Sequence, residues 1–252
     1  MIKTLLSVFI LIFSYQLHAF DKLPEIEIKQ IDQGVYLHKS YSEVQGYGLI
    51  SSNGLIVVEN NQAFIIDTPW SEQDTEVLLA WIDDNNFQLL GSISTHSHED
   101  RTAGIALLKN KNIATYASQL TNDILTTTGK EVAEHSLIFQ RLEHLSVKEQ
   151  ENSFLSGAVQ TFYPGAGHAV DNIVVWLPNV NILFAGCLVR SLSSKSLGYT
   201  GEADIAEWPI SVKKLQHQFP DIKYVVPGHG SIGNNQLLVH TIKLAQGALQ
   251  HH

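Results

Sequence analysis

The stretch ISTHSHEDRTAG, residues 93–104, places His96, His98 and Asp100 at alternate positions directly after an apolar run. That run, Leu89–Ser94, predicts a short buried strand. Imidazole, carboxylate and thiolate are the groups that zinc binds in proteins. Two histidines two residues apart arise easily by chance, but a run that adds an aspartate and follows a buried strand is far less common. The stretch therefore favours a metal site over isolated surface or core histidines.

Three further candidate ligands lie next to glycines at the ends of predicted strands. His168 lies in YPGAGHAVDN, Cys187 ends ILFAGC, and His229 lies in VVPGHG. Glycine lets the backbone turn sharply and lets another group approach closely, and loops at strand ends are where a rigid scaffold presents chemistry. Six candidate ligands allow three on each of two ions. Each ion then keeps an open position, which favours a catalytic site over a structural one.

The N-terminus is typical of a secretory signal. Lys3 supplies the positive charge, Thr4–Phe13 is almost wholly apolar, and Ala19 is a small residue at the expected cleavage position. A membrane anchor is disfavoured because the apolar run is shorter than the roughly 20 residues that a span needs. Removing residues 1–19 takes away one lysine and no acidic residue, so the net charge falls from −9 to −10. That charge disfavours nucleic acid and anionic lipid as partners.

Cys187 is the single cysteine of the chain, so no internal disulfide can form. Exported proteins usually hold their cysteines in disulfides. A lone exported thiol is a small buried apolar residue, a chemical liability or a metal ligand. The residues around Cys187 must decide between these alternatives.

The order of predicted elements indicates a layered architecture. Ile26–Ser42 and Tyr47–Thr68 predict meandering antiparallel strands, with turn signals at Ser52–Gly54 and Asn60–Asn61. A capping box at Ser71 and Asp74 predicts a helix through Trp81. The other predicted helices are Ala103–Leu108, Ser118–Thr127, Ile205–Phe219 and Gln236–Leu249. The other predicted strands are Asn112–Ala117, Val159–Tyr163, Ile173–Leu177, Ile182–Ala185 and Tyr224–Val226.

Strand sets that alternate with helices predict two sheets packed face to face with helices outside, a four-layer αβ/βα sandwich of the α/β class. We expect residues 20–252 to form one continuous domain with two halves, near residues 20–133 and 134–252.

The decapeptide THSHEDRTAG resembles the H-x-H-x-D signature of the metallo-β-lactamase fold. The similarity extends over nearly the whole mature chain, from GVYLHKSYSEVQGYGLISSNGLIV at residues 34–57 to PGHGSIGNNQLLVHTIKLA at residues 227–245. The resemblance implies a four-layer αβ/βα fold with the site on one edge, between the two halves.

Within that superfamily the chain is most similar to the first β-lactamase subclass. Glyoxalase II, ribonuclease Z and the third subclass carry a histidine where Arg101 stands, and the hydrolase relatives carry an aspartate where Cys187 stands. The second subclass replaces the histidine at His96 by asparagine. The resemblance implies two Zn²⁺ per chain, with Cys187 as a thiolate ligand. One zinc would lie on His96, His98 and His168, and the other on Asp100, Cys187 and His229.

The resemblance also implies residues that contact substrate. The hairpin SYSEVQGYG, residues 40–48, is similar to the mobile loop that closes over substrate, where Val44 and Tyr47 offer apolar contact; an ordinary hairpin turn is the alternative. Trp70 resembles the tryptophan on the floor of the site, and could equally be core.

Three residues differ from the family pattern: Arg190, Tyr199 and Ala103. Arg190 stands where the family usually has a lysine that pairs with the substrate carboxylate, a task that arginine can perform bidentately. Lys195 is a competing candidate for that role, and a solvated charge is the alternative for both. Tyr199 replaces an asparagine thought to help polarise the lactam carbonyl. Ala103 replaces a glycine, with little expected effect.

The activity implied is zinc-dependent hydrolysis of penicillins, cephalosporins and carbapenems by a bridging hydroxide, with Asp100 and Arg190 taking part, in a periplasmic enzyme of antibiotic resistance. Monobactams are expected to be poor substrates. We expect a monomer whose partner is the small-molecule β-lactam, without nucleic acid or a stable membrane anchor. A hydrolase of another ester, thioester or lactone shares the fold, although the missing histidine after Asp100 disfavours it. A secreted zinc-buffering module is the alternative from another class, and it would prefer closed coordination.

Overall fold

Two β-sheets face each other in the computed structural model, which describes residues 22–139, 152–219 and 221–250. The predicted signal peptide, residues 1–19, lies outside the described residues. The first sheet has seven strands in sequence order, antiparallel from β1 to β4 and parallel from β4 to β7. Its strands are β1 Glu27–Asp32, β2 Val35–Val44, β3 Gly48–Glu59, β4 Gln62–Ile66, β5 Gln88–Ser94, β6 Ala114–Ser118 and β7 His135–Leu137.

The second sheet has five strands in the order β12-β11-β10-β9-β8, and only β11 and β12 run parallel. Its strands are β8 Asn152–Phe154, β9 Val159–Phe162, β10 Val174–Leu177, β11 Ile182–Gly186 and β12 Tyr224–Pro227. The helices are α1 Glu72–Asp84, α2 Glu99–Thr102, α3 Ile105–Asn110, α4 Gln119–Thr127, α5 Trp208–Gln218 and α6 Gln236–Leu249.

Alternating side chains on the central strands create the four layers. On β3, Leu55 and Val57 pack into the apolar core between the two sheets, while Ile56 points the other way into the core under α1. On β11, Phe184 joins the core between the sheets and Leu183 joins the core under α5 and α6. Successive strand side chains point to opposite faces, so each strand contributes to two cores. The predicted αβ/βα sandwich is confirmed.

Most predicted elements are confirmed, with shifts at their ends. The Ser71 side chain accepts a hydrogen bond from the Asp74 backbone N–H at 3.0 Å and caps α1. Helix α5 begins at Trp208 and not at Ile205, because Asp204 accepts the backbone N–H groups of the residues that open the helix. The two edge strands β7 and β8 were not predicted, since three residues carry too little alternation to reveal a strand.

The turn predicted at Ser52–Gly54 is wrong. These residues lie inside β3, where Gly54 pairs with His38 of β2. The Asn53 side-chain amide donates to the carbonyl oxygens of Pro227 and Gly230, each at 2.9 Å, and so ties the first sheet to the loop after β12. Gly54 is needed because an added Cβ would overlap the His38 imidazole and lie 2.8 Å from the Ile66 carbonyl oxygen. Asn53 and Gly54 therefore make contacts within and between the sheets and do not form a turn.

We expect Gly54→Ala to destabilise the protein by about 1–3 kcal/mol, because a methyl group forced into a packed site displaces its neighbours. The imidazole of His38 would have to leave its hydrogen bond to the Asp67 carbonyl oxygen, now 3.0 Å. Urea unfolding measures the effect. Gly247→Ala is the matched control, because nothing lies within 4 Å of its added Cβ and alanine favours a helix. Equal unfolding midpoints for Gly54→Ala and wild type would contradict the packing argument.

Across the described ranges, no helix combines the length and the apolar character that crossing a membrane would require.

Candidate metal centre

The six candidate ligands meet at one edge of the sandwich, where strands of both sheets end. His96 and His98 follow β5, and Asp100 lies in the short helix α2 that comes next. Cys187 follows β11 directly, and His229 lies two residues after β12. The carboxyl ends of neighbouring parallel strands lie at the same edge of a sheet, which is where ligands bind in such sheets. His168 joins them from the connection between β9 and β10.

The first group consists of His96, His98 and His168. One ring nitrogen from each residue lies within 4.8 Å of those of the other two. Nδ1 of His98 and Nε2 of His168 are 3.2 Å apart. The three rings cross at interplanar angles between 74° and 88°. Three imidazoles whose nitrogens converge from different directions can provide three ligands to one ion with a fourth position open.

The second group consists of Asp100, Cys187 and His229. Nε2 of His229 lies 3.3 Å from Sγ of Cys187 and 3.3 Å from Oδ2 of Asp100. Sγ of Cys187 and Oδ2 of Asp100 are 3.7 Å apart. His96 approaches this group too, since it also lies within 4.8 Å of Asp100 and Cys187. The two groups therefore lie side by side, close enough for two ions to act on one substrate.

Burial keeps the imidazoles in the form that binds metal. It lowers the pKa of His168 to about 3 and the pKa of His229 to about 4, and it also holds the pKa of His96 well below its usual value. Neutral rings with a free lone pair are what a cation needs. Neither ring nitrogen of His96 has a hydrogen-bond partner among the described residues. Buried polar atoms are normally paired, so an ion that binds His96 fits this site.

The guanidinium of Arg101 contacts two members of the second group, Asp100 and Cys187. The side chain is fully buried, and its Nη2 lies 2.7 Å from Oδ2 of Asp100 and 3.0 Å from Sγ of Cys187. Its Nη1 lies 3.2 Å from Oδ2 of Asp67. Burial alone would lower the pKa of Arg101, but the acidic groups around it hold the pKa above its usual value. A guanidinium in this position favours the ionised forms of Asp100 and Cys187.

Burial makes the Cys187 thiol hard to ionise. It raises the pKa of the thiol to about 12, although Arg101 opposes that shift. A metal ion deprotonates a coordinating thiol outright. The chemistry of Cys187 therefore fits a soft cation such as Zn²⁺.

His229 is held in one orientation by β3. Its Nδ1 lies 2.7 Å from the Ser51 carbonyl oxygen, which can only accept, so Nδ1 carries the proton and Nε2 faces Asp100 and Cys187. The glycine before His229 lets Cys187 and Arg101 pack closely against the backbone, because an added Cβ at Gly228 would lie 2.6 Å from both Sγ of Cys187 and Nη2 of Arg101.

A cavity of about 450 Å³ opens above both groups. Its wall includes five of the residues predicted to contact substrate: Val44, Tyr47, Trp70, Arg190 and Tyr199. Lys195 is exposed and is not one of the residues that line this cavity. The Trp70 indole packs near the His229 ring, with centroids 6.0 Å apart. Ala103 adopts a helical φ of −59°, so alanine is accommodated without strain where relatives have glycine.

Sequence reasoning missed Asp67, Asn53 and Glu202. Asp67 accepts from the backbone N–H and the hydroxyl of Thr95, and burial raises its pKa to about 7. Its position directly after the apolar strand β4 was a signal that could have revealed it. Glu202 contacts His98 across 104 residues of sequence, and no local pattern points to it.

Comparisons with known proteins agree with this geometry. Residues 47–229 match the metallo-beta-lactamase superfamily. The chain is 38% identical over 228 residues to a metallo-beta-lactamase type 2 of Pseudomonas aeruginosa, covering 90% of this chain and 87% of that protein. It is 39% identical over 219 residues to one of Bacteroides fragilis, covering 86% and 84%.

Solved structures give the same result. The structure of TMB-1 is 53% identical with a TM-score of 0.84, covering 90% of this chain and all of that one. The DIM-1 metallo-beta-lactamase exposed to ceftazidime is 48% identical with a TM-score of 0.85 and the same coverage. The fold and the grouped histidine, aspartate and cysteine side chains define a metal-dependent hydrolase. The chain belongs to the metallo-beta-lactamase superfamily, and its Pseudomonas aeruginosa and Bacteroides fragilis relatives are named metallo-beta-lactamase type 2.

Proposed function

We propose that the protein hydrolyses the lactam amide of penicillins, cephalosporins and carbapenems with two bound Zn²⁺ ions, and so gives resistance to these antibiotics. The observation that carries the proposal is the pair of three-ligand groups on the floor of one cavity, with Arg190 in its wall. Its relatives in both comparisons are named metallo-beta-lactamases.

His96, His98 and His168 would hold one ion, and Asp100, Cys187 and His229 the other. When bound, such ions polarise a carbonyl, lower the pKa of water and stabilise a departing amide nitrogen, so no covalent enzyme intermediate is needed. Three protein ligands for each ion would leave a coordination position open, which disfavours a zinc-buffering module.

The chain's own residues orient the substrate and the water. Arg190 provides a half-buried guanidinium whose buried Nε has no hydrogen-bond partner among the described residues, and arginine stays charged in proteins. It can therefore pair with the carboxylate of a β-lactam. Asp100 would orient the attacking water, since Arg101 holds its Oδ2 in place at 2.7 Å. Val44, Tyr47 and Trp70 give the cavity apolar surface that can contact the substrate.

Export and assembly belong to the same proposal. We infer that residues 1–19 are removed after Ala19, that residues 20–252 act as one domain with halves near 20–133 and 134–252, and that the protein works as a periplasmic monomer. The apolar residues after Lys3 support export.

Turnover of a chromogenic cephalosporin by the purified zinc-loaded protein tests the function. We expect the lactam ring to open, with no turnover of ester, thioester or lactone substrates at a comparable rate. A protein that binds zinc but cleaves only the other substrates would be a different hydrolase. One that binds zinc and cleaves none of them would be a zinc-binding module.

Arg190→Ala is expected to raise KM by roughly ten- to a hundredfold while kcat changes little. A charge-assisted hydrogen bond contributes about 1.5–3 kcal/mol, and a contact made equally in ground state and transition state acts on KM. Steady-state kinetics with a cephalosporin and a carbapenem measure the effect. Lys195→Ala is the matched control, because Lys195 is exposed and away from the cavity wall. A larger KM effect at Lys195 would reassign the role.

Tyr199→Phe is expected to change kcat little. The Tyr199 side chain is 47% exposed at the cavity wall, and its ring meets the edge of the His98 ring at 5.9 Å, which fits a contact with substrate side groups. Tyr199→Asn, in contrast, should alter KM unevenly between cephalosporins and carbapenems. Losing an oxyanion donor costs about 10²–10³ in kcat in other enzymes. A uniform loss of that size for Tyr199→Phe would show that its hydroxyl polarises the carbonyl.

A further inference from the structure

Glu202 contacts a metal-site histidine without being a ligand candidate itself. Its Oε2 lies 2.6 Å from Nε2 of His98. A carboxylate accepts hydrogen bonds and does not donate them, so the ring proton of His98 must reside on Nε2. This leaves Nδ1 with a free lone pair. Nδ1 is the atom that faces Nε2 of His168 at 3.2 Å, on the side where the three histidines converge.

We propose that Glu202 is a positioning residue that fixes the tautomer and the ring orientation of His98, so that Nδ1 is the atom offered to the metal. The inference rests on the proposed zinc chemistry of this site and adds one residue to it. Histidines that bind metals generally donate their other ring N–H to a carboxylate or carbonyl, which orients the ring and raises its basicity.

His98 needs such a partner more than its neighbours do. Its side chain is 22% exposed, whereas His96 and His168 are buried and held by packing on several sides. Among the three, His98 alone has a carboxylate within hydrogen-bond distance in the described part of the chain. Among the described residues, Glu202 is the carboxylate that can hold the Nε2 proton of His98.

The segment that carries Glu202 also packs on the same ring. Tyr199, three residues earlier, meets the His98 ring at an interplanar angle of 67°. Both Tyr199 and Glu202 line the cavity wall. One segment therefore borders the substrate cavity and contacts a candidate metal ligand. Because Glu202 contacts the His98 ring directly, a change at Glu202 should alter metal affinity more than substrate affinity.

Zinc affinity is the first measurement. Glu202→Ala should raise the dissociation constant of the three-histidine site by about 10- to 100-fold, the range found for other partners of metal ligands. Glu202→Gln should cause a smaller rise, because its amide oxygen still accepts the Nε2 proton but lacks the charge that strengthens the bond. Competition with a chromophoric chelator gives both constants without any use of activity.

The ring proton of His98 is the second measurement, and a merely structural role would not move it. In the zinc-loaded wild type, NMR should detect a slowly exchanging Nε2 proton on His98. Glu202→Gln should retain this proton, and Glu202→Ala should lose it to fast exchange with solvent. In the cobalt-loaded Glu202→Ala protein, the thiolate-to-cobalt absorption of Cys187 should persist at saturating metal, which separates the two metal groups and reports an intact fold.

Glu134 offers a matched control. Its carboxylate lies near a histidine too, with Oε2 at 3.8 Å from Nε2 of His135, beyond hydrogen-bond distance. Its side chain is 56% exposed, against 54% for Glu202. Glu134→Ala and Glu134→Gln should leave zinc affinity and the His98 proton unchanged.

Unchanged zinc affinity and an unchanged Nε2 proton in Glu202→Ala would overturn the inference while the proposed function stood. If Glu202→Ala fails to fold, unchanged zinc affinity in Glu202→Gln overturns it equally. A wild-type protein that binds no zinc would overturn the proposed function, and the role of Glu202 with it.

Discussion

Removing the metal should abolish β-lactam turnover, by at least about a thousandfold, and added zinc should restore it. Lewis-acid catalysis contributes several kcal/mol to such reactions, and each 1.4 kcal/mol is a factor of ten in rate. Among the described residues, the imidazoles, Asp100 and Cys187 converge at the cavity floor, and none of these side chains is itself a Lewis acid. Dialysis against a chelator, followed by zinc titration with a chromogenic cephalosporin, measures both the loss and the recovery.

Stability supplies a second readout of the same treatment. A ligand present at a thousand times its dissociation constant stabilises the folded state by about 4 kcal/mol, so the metal-free protein should unfold at lower temperature. Inhibitors that acylate a catalytic serine serve as the control and should leave turnover unchanged. Full activity in verified metal-free protein would contradict the metal chemistry at this site.

Replacing Cys187 by serine should weaken the second zinc site selectively, on the order of a hundredfold or more. Losing an outer partner of a ligand already costs about 10- to 100-fold in affinity, and a serine hydroxyl is a much poorer ligand than a thiolate. The contact from Arg101 to Sγ, now 3.0 Å, would also lengthen or be lost. Zinc titrations that resolve two dissociation constants measure the effect.

The first site is the internal control for Cys187→Ser. His96, His98 and His168 make no use of the thiol in their own grouping, so one high-affinity zinc should remain. The absorption of a cobalt–thiolate bond should disappear at the same time. Two zinc ions bound with unchanged affinity and an unchanged rate would mean that Cys187 is a packing residue, as its full burial alone would allow.

Sequence reasoning failed at Ser52–Gly54 and was incomplete at Arg101 for the same reason. Ser52–Gly54 has the composition of a turn, yet β3 continues through it because Asn53 binds Pro227 and Gly230 on either side of His229 and Gly54 makes room for His38. Arg101 was noted only as the absence of a histidine, whereas it lies fully buried between Asp67, Asp100 and Cys187. Asn53, Gly54 and Arg101 all contact partners that are distant in the sequence.

By itself the sequence determined the layered fold and the identity of the six candidate ligands. Strand alternation reports which face is buried, and H-x-H-x-D or a glycine beside a histidine or cysteine is a local pattern. The tertiary structure alone decided which nitrogen of His98 and of His229 faces the site, and that Arg190 and not Lys195 borders the cavity. It also decided that Asp67 contacts Arg101 and that Glu202 contacts His98. These features depend on contacts between segments that are distant in the sequence, and no local pattern encodes such contacts.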